Sequence, residues 1–150
     1  MQVTVRPATL ADVDGICGVF DEATKQHPDL PQLEHPLVER WTAEMISHNL
    51  SWVAVDERGS IVGALTAIWR PIPWAPSVVV IAVLHFYVAR RARQSRAARL
   101  LLASLKAASD STGVAAALST TYGSSPEVVD RLMARSGFEQ VGGNIVCSAE

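Results

Sequence analysis

The chain has few cysteines, few aromatic residues and no hydrophobic run long enough to cross a bilayer. Its two cysteines, Cys17 and Cys147, form no CxxC pair and no disulfide framework, so we expect buried thiols in a reducing compartment. The amino terminus lacks an apolar signal segment, and the longest apolar run, residues 78–88, is shorter than a membrane-spanning helix. These absences predict a cytoplasmic protein that makes no use of the membrane.

Acidic residues are missing from the middle of the chain. Between Gly59 and Ser109 there is no Asp or Glu, although the net charge of the whole chain is only −2. The basic residues of this stretch are Arg70, Arg90, Arg91, Arg93, Arg96, Arg99 and Lys106. Most of them fall in one short turn and no aromatic residues alternate with them, which argues against a nucleic-acid surface. The pattern predicts one basic region on an otherwise acidic molecule.

The basic turn lies between a predicted strand and a predicted helix. Residues 78–88 read VVVIAVLHFYV, a β-branched run typical of a strand covered on both faces. Apolar positions within residues 100–108 then recur at helical spacing. The first N–H groups of a helix lack internal partners, and arginines gathered there oppose the helix dipole unless an anion is bound. The sequence therefore predicts an anion site at this turn.

Strands are predicted by alternating or β-branched apolar runs bounded by turn residues. They are residues 3–6, 51–56, 61–69, 78–88, 114–121, 138–141 and 144–148. The turn at residues 57–60 predicts an antiparallel hairpin. The proline-punctuated residues 70–77 predict a loop that exposes Trp74, whereas Trp41 and Trp52 are expected in the core.

Four helices are predicted from apolar spacing and from capping residues. Thr9 and Asp12 form the signature of a capped first helix that runs to about Lys25. The others cover residues 37–48, the stripe at 100–108, and a last helix that ends near Gly137. We expect an α+β domain over residues 1–150, with three layers and a mixed sheet of about six to seven strands flanked by about four helices.

Three local motifs and this element order resemble the GNAT superfamily of N-acetyltransferases. Residues 5–9 followed by Asp12 resemble the start of the family's first strand and helix, and residues 132–138, LMARSGF, resemble its late helix and Gly-Phe pair. Residues 93–98, RQSRAA, resemble the acetyl-CoA motif Q/R-x-x-G-x-G/A. The first motif glycine falls on Arg96, so this match is partial.

The resemblance implies acetyl-CoA as cosubstrate, an amine as acceptor, and a homodimer. It implies a main-chain N–H near Val88 at the thioester oxygen and the amides of residues 94–98 at the pyrophosphate. The cofactor-binding residues that it indicates are Tyr87, Val88, Arg93, Gln94, Ser95, Arg96, Ala97 and Ala98. No spacing of His, Cys and carboxylate residues indicates a metal site.

Direct transfer of an acetyl group to an amine needs a base and a source of a proton for the departing thiolate. His85 is the candidate base, on a strand face that alternation would give it in common with Val83 and Tyr87. Glu57 is a weaker candidate. Relatives commonly carry a tyrosine acid where this chain has Met133, so Tyr122 is the candidate replacement.

Two questions stay open in the sequence. Trp69 and Trp74 either line the acceptor pocket or serve only as packing and turn residues. The chain is either an N-acetyltransferase or a GNAT-like module that binds acyl-CoA without turnover, because Arg96 and Met133 both depart from the family pattern.

Overall fold

The computed structural model describes residues 1–118 and 126–139. The strands in these ranges are β1 (Val3–Pro7), β2 (Ser51–Asp56), β3 (Ile61–Ile72), β4 (Ala75–Val88) and β5 (Ala116–Leu118). The helices are α1 (Val13–Lys25), α2 (His35–Ser47), α3 (Ala97–Thr112) and α4 (Pro126–Arg135), with 3₁₀ helices at Leu10–Asp12 and Arg90–Ala92. None of the helices in the described ranges is long and apolar enough to span a membrane.

The strands form one mixed sheet in the order β1-β2-β3-β4-β5. The pairs from β1 to β4 are antiparallel, and β4 pairs with β5 in parallel. A parallel neighbour requires a crossover, which α3 supplies. The mixed sheet is confirmed, but the described residues hold five strands rather than about six to seven. The last predicted strand, residues 144–148, and half of its partner, residues 140–141, lie outside the described residues.

Helices cover both faces of the sheet, which confirms the three layers. On one face α1 contributes Ile16 and Phe20 to a buried cluster that includes Tyr87 of β4. On the other face α3 contributes Leu101 and Leu105, and α4 packs against the same cluster. The apolar stripe of each helix therefore faces the sheet, as its spacing requires.

A β-bulge at Leu84 interrupts the alternation of β4. Thr66 of β3 pairs with His85, but the next residue, Ala67, pairs with Val83, so Leu84 has no partner in the register. Val83 accordingly packs in the α3 cluster, whereas the ring of His85 lies against the α1 layer. The predicted common face of Val83 and His85 is therefore wrong, because one extra residue reverses every side chain that follows it.

The predicted loop at residues 70–77 is wrong. β3 continues to Ile72 and β4 begins at Ala75, so Pro73 and Trp74 form the whole turn of a long hairpin. The prolines are tolerated because this end of the hairpin is exposed and their missing N–H groups interrupt no central ladder. Trp74 is 86% exposed, as expected for a turn residue.

Burial of the central strand was also overestimated. Val78 and Val79 are exposed, because the outer half of the hairpin extends past the helices. Trp41 was expected in the core but is 54% exposed on α2, whereas Trp52 packs against the core as predicted. Spacing correctly placed Trp41 on the inner side of its helix, but that side opens onto a cavity instead of closing on the sheet.

The predicted cap at Thr9 and Asp12 and the predicted end of the last helix near Gly137 are confirmed, and Gly113 ends α3 in the same way as Gly137. The Asp12 carboxylate accepts hydrogen bonds from the Thr9 amide at 2.8 Å and from the Thr9 hydroxyl at 3.1 Å. α3 ends at Gly113 and α4 ends before Gly137, with left-handed φ values of 68° and 83°. Glycine adopts this conformation without steric cost, which is why it stops a helix at these two positions.

Candidate active site

A cavity of about 390 Å³ lies between β4, α1, α2 and the loop that joins the two helices. Residues 84–87 of β4 form one wall, and α2 with residues 31–34 forms the wall opposite. Gln32 orders the loop, because its side-chain amide donates to the carbonyls of Thr24 at 3.1 Å, His27 at 3.1 Å and Leu30 at 2.8 Å. The bulge at Leu84 and this side chain together shape the cavity.

His85 lines the cavity from the bulged strand. Its ring packs on Phe20 with the centroids 4.5 Å apart, and its Nδ1 lies 3.2 Å from the Thr66 hydroxyl. Burial lowers the pKa of the imidazole below the ordinary value of 6.5. The ring is therefore neutral at pH 7, and Nε2 is the nitrogen left to interact with a ligand.

Thr66 is fully buried and was not identified from the sequence. It lies beside Ser51 on β2 and His85 on β4, so three polar residues form a row across the sheet. The Ser51 hydroxyl is buried and has no hydrogen-bond partner among the described residues. A hydroxyl on a central strand gives no sequence signal for this role, because only the strand register reveals its neighbour.

Tyr87 is the centre of a hydrogen-bond network between β4 and α1. Arg93 donates to the Tyr87 hydroxyl at 3.1 Å and to the Gln26 side-chain oxygen at 3.0 Å. The Gln26 amide also donates to this hydroxyl, which in turn donates to Glu22 at 3.4 Å. Glu22 further accepts from the Arg90 amide at 2.8 Å. Burial is the main cause that raises the pKa of Tyr87, so this phenol stays protonated at neutral pH.

The guanidinium of Arg93 points inward. It lies over the ring of Tyr87, 5.4 Å from the centroid, and its Nε is 3.5 Å from the carbonyl of Val88. Arg93 thus braces the end of β4 against α1, which the sequence did not indicate. Gln26 and Glu22 were missed as well, because they lie more than sixty residues from their partners in the chain.

The N-terminus of α3 follows directly. Ser95 accepts the Ala97 amide at 3.1 Å, whereas the amides of Ala98 and Arg99 have no acceptor among the described residues. Arg96 has φ −81° and ψ 1°, a conformation open to any residue, so the missing motif glycine causes no backbone strain. Arg96 and Arg99, which flank these amides in the chain, are exposed, and a basic helix N-terminus with free amides suits an anion.

No protein-family model matches the chain, and no curated protein sequence matches it. Solved structures do match. AAC(6')-Iy, in complex with the bisubstrate analogue CoA-S-monomethyl-acetylneamine, superposes with a TM-score of 0.72 over 100% of this chain and 99% of that chain, at 16% identity.

Two further structures agree with this result. A GCN5-related N-acetyltransferase from Ralstonia eutropha JMP134 gives a TM-score of 0.70 over 99% of this chain and 100% of its own, at 18% identity. A predicted acetyltransferase from Clostridium acetobutylicum, solved with acetyl-CoA, gives 0.69 over 98% and 96%, at 14% identity. The chain has the GNAT fold.

The remaining predicted cofactor-binding residues differ in exposure. Gln94 is exposed in the turn, Ala97 and Val88 are buried, and Ala98 is half-buried on the first turn of α3. Met133 packs against the α3 cluster and does not line the cavity. Tyr122 lies outside the described residues.

Other candidates lie away from the cavity. Glu57 is exposed in the β2–β3 turn, where it accepts the Gln2 amide at 3.2 Å. Trp69 and Trp74 lie on the long hairpin, and the tryptophan that lines the cavity is Trp41. The described residues contain no group of three or more His, Cys, Asp or Glu side chains that could hold a metal ion.

Proposed function

We propose that the chain is an acetyl-CoA-dependent N-acetyltransferase, with residues 1–150 forming a single acyl-CoA-binding domain. The observation that carries the proposal is the position of His85, a neutral imidazole on a bulged strand that lines a ligand-sized cavity of a GNAT fold. The same strand leads within a few residues to the arginine-rich turn before α3, which is the proposed phosphate site. In this proposal the base and the phosphate site therefore follow one another along the chain.

The diphosphate of acetyl-CoA would bind at the turn before α3. The amides of Ala98 and Arg99 are available as donors there, and the exposed Arg96 adds positive charge. In this proposal Ser95 orders the turn, because its hydroxyl already holds the Ala97 amide. The main-chain N–H near Val88 remains the proposed donor to the thioester oxygen.

The amine would attack the thioester carbon directly. The nitrogen lone pair forms the C–N bond, the C–S bond breaks, and the electron pair leaves with the thiolate. His85 takes the proton that the amine loses, and the thiolate regains one proton, for which Tyr122 stays the predicted donor. The products are the N-acetylated amine and free coenzyme A, so atoms and charge balance.

A non-catalytic acyl-CoA-binding module is the second candidate. It is favoured by Met133, which packs in the core and cannot donate a proton to a leaving thiolate. Both candidates predict binding of acetyl-CoA, and only the first predicts release of coenzyme A in the presence of an amine.

Two measurements test the proposal. Isothermal titration should detect binding of acetyl-CoA, and a thiol assay with a panel of primary amines should detect amine-dependent release of coenzyme A. Binding without release for any amine would favour the non-catalytic module. Absence of binding at millimolar acetyl-CoA would contradict both candidates.

The homodimer, the cytoplasmic location and the absence of nucleic-acid and membrane partners stay predictions. Light scattering coupled to size-exclusion chromatography measures the first directly. A monomer at micromolar concentration would contradict the predicted homodimer. The proposed chemistry would be unaffected, because His85, Thr66 and the α3 turn all belong to one chain.

A further inference from the structure

The lining of the cavity at His85 is mostly carbon. Its apolar side chains include Phe20, Leu33, Leu37, Val38, Trp41 and Leu84. They come from α1, α2, the loop between these helices and the bulge of β4, so apolar surface meets a ligand from several directions. Such a lining favours a ligand with an apolar body and disfavours one that carries many hydroxyl groups, since each unpaired polar group loses its hydration on entry.

Most polar groups of the lining already have partners within the protein. The Gln32 amide nitrogen donates to three main-chain carbonyls. The Thr24 hydroxyl donates to the carbonyl of Asp21, and the Tyr87 hydroxyl belongs to the network with Arg93. Among the described lining residues, this leaves the ring of His85 and the carboxylate of Glu34 as the ionisable groups open to a ligand.

The two remaining groups suit a single amine. Glu34 is exposed at the start of α2, where its charge attracts a cation from solvent. His85 lies deeper, on the β4 wall. Apolar surroundings lower the pKa of a bound ammonium group, which favours its deprotonation beside the imidazole. A second or third ammonium group on the same ligand would find no further carboxylate among the described lining residues.

The size of the cavity sets a limit on the ligand. Its volume of about 390 Å³ is near the lower end of small-molecule sites, which run from about 300 to 1,000 Å³. This space accepts one aromatic ring or a branched alkyl group with a short amine-bearing arm.

We propose that the acceptor is a hydrophobic primary monoamine, an arylalkyl or branched alkyl amine, which binds with its apolar body against Trp41 and Leu37 and its nitrogen toward His85. This inference rests on the proposed function for the transfer step. For binding it rests only on the cavity, which the side chains of this chain line.

The experiment compares 2-phenylethylamine and 3-methylbutylamine with spermidine and the aminoglycoside kanamycin in the coenzyme A release assay. We expect kcat/KM to be at least tenfold higher for the two hydrophobic monoamines. Trp41→Ala should lower their kcat/KM about tenfold through KM, whereas Trp74→Ala, which removes an exposed tryptophan outside the cavity, should leave both constants unchanged.

Binding is measured separately by titrating 2-phenylethylamine into the protein without acetyl-CoA. Preference for spermidine or kanamycin would overturn the inference and leave the proposed function standing. Binding of 2-phenylethylamine that Trp41→Ala weakens, without any coenzyme A release, would support the inference and overturn the enzymatic function. If 2-phenylethylamine does not bind and no amine of the panel releases coenzyme A, both the inference and the enzymatic function are overturned.

Discussion

At the scale of single residues, burial decides the chemistry of His85. The folded environment lowers the pKa of the imidazole, so the neutral base persists to a more acidic pH than for a free histidine. In the proposed reaction, kcat/KM should therefore rise with pH along an acid limb that lies below pH 6.5. Above that pH, titration of His85 should no longer change kcat/KM.

His85→Gln tests this role. We expect kcat to fall about 100-fold or more, the acid limb to disappear, and the affinity for acetyl-CoA to stay unchanged, because the glutamine cannot act as a base near neutral pH. His48→Gln is the matched control, since His48 lies at the end of α2 outside the described cavity lining. A pH–rate profile that is the same for all three proteins would exclude His85.

Thr66 should fix the tautomer of that base. For Nε2 to accept a proton, Nδ1 must carry the other hydrogen and donate it to the Thr66 hydroxyl, 3.2 Å away. Thr66→Val keeps the shape and removes this acceptor, so we expect kcat to fall about tenfold, whereas Thr66→Ser should restore most of it. Nitrogen-15 NMR of the ring reports the tautomer directly, and an unchanged tautomer in Thr66→Val would contradict the role.

His85 could be identified from the sequence because it is the single side chain in an apolar run whose ordinary pKa lies near neutral pH. Its partners could not. Thr66 faces it only because the bulge at Leu84 sets the register, and Gln26 reaches Tyr87 from the end of α1, 61 residues away in the chain. Side-chain contacts between distant elements depend on packing that no local pattern encodes.

At the scale of elements, local signals were reliable where chain geometry alone decides the outcome. The first helical turn begins at Thr9 and the last helix ends before Gly137 as predicted, and the β2–β3 hairpin formed around its turn. The prolines in residues 70–77 led to the wrong prediction of a loop. A proline has no N–H and would disrupt a central strand, but the exposed end of a hairpin tolerates it. Whether a segment lies at the edge or in the centre is a property of the whole sheet.

The N-terminus of α3 gives a prediction about charge. Arg96 adopts an ordinary backbone conformation, so its effect on acetyl-CoA should come from its positive charge and not from strain. Arg96→Ala should weaken acetyl-CoA about threefold to tenfold and reduce the dependence of the affinity on salt. Arg70→Ala, an exposed arginine that pairs with Val80 toward the other end of the β3–β4 hairpin, is the control for titration calorimetry. Tighter binding by Arg96→Ala would show that the side chain obstructs the ligand.

The Arg6–Asp12 pair joins β1 to the turn before α1. Its two hydrogen bonds measure 2.7 Å and 2.8 Å, and the hydrogen bond from Arg6 is the main cause that lowers the pKa of Asp12 to about 2. Because the folded pKa lies below the reference value of 3.8, the pair stabilises the fold above that pH. This contribution is lost as the pH falls from about 3.8 to about 2.

Asp12→Asn should lower the free energy of unfolding at pH 7 by about 1–2 kcal/mol, because a capping carboxylate and an ion pair are both lost. Urea titrations at pH 7 and pH 2.5 measure the difference between the two proteins. The difference in the free energy of unfolding between the two proteins should be smaller at pH 2.5, where the wild-type carboxyl is protonated in the unfolded chain. A difference of constant size would contradict the assigned pKa.

At the scale of the whole molecule, the cavity lies beside the part of the chain that has no acidic residues. The acid-free stretch of the sequence supplies both the β4 wall of the cavity and the arginine-rich turn, whereas acidic residues such as Glu22 and Asp21 lie on α1. Sequence reasoning located the basic region because charge is a local property. The shape of the cavity depends on how α2 and its preceding loop pack over β4, and this gave no periodic signal.

Binding of acetyl-CoA at the α3 turn should stabilise the whole molecule. A ligand that binds only the folded state contributes about 2.7 kcal/mol at a concentration of 100 times Kd. For a chain of this length, each kcal/mol raises Tm by about 2–4 °C, so we expect an increase of about 5–10 °C. Raising the salt concentration should reduce the increase, because it screens the phosphate contacts. The melting curve is measured with the wild type and with Arg96→Ala, in which the increase should be smaller. An increase that is equal in both proteins and insensitive to salt would place the ligand away from this turn.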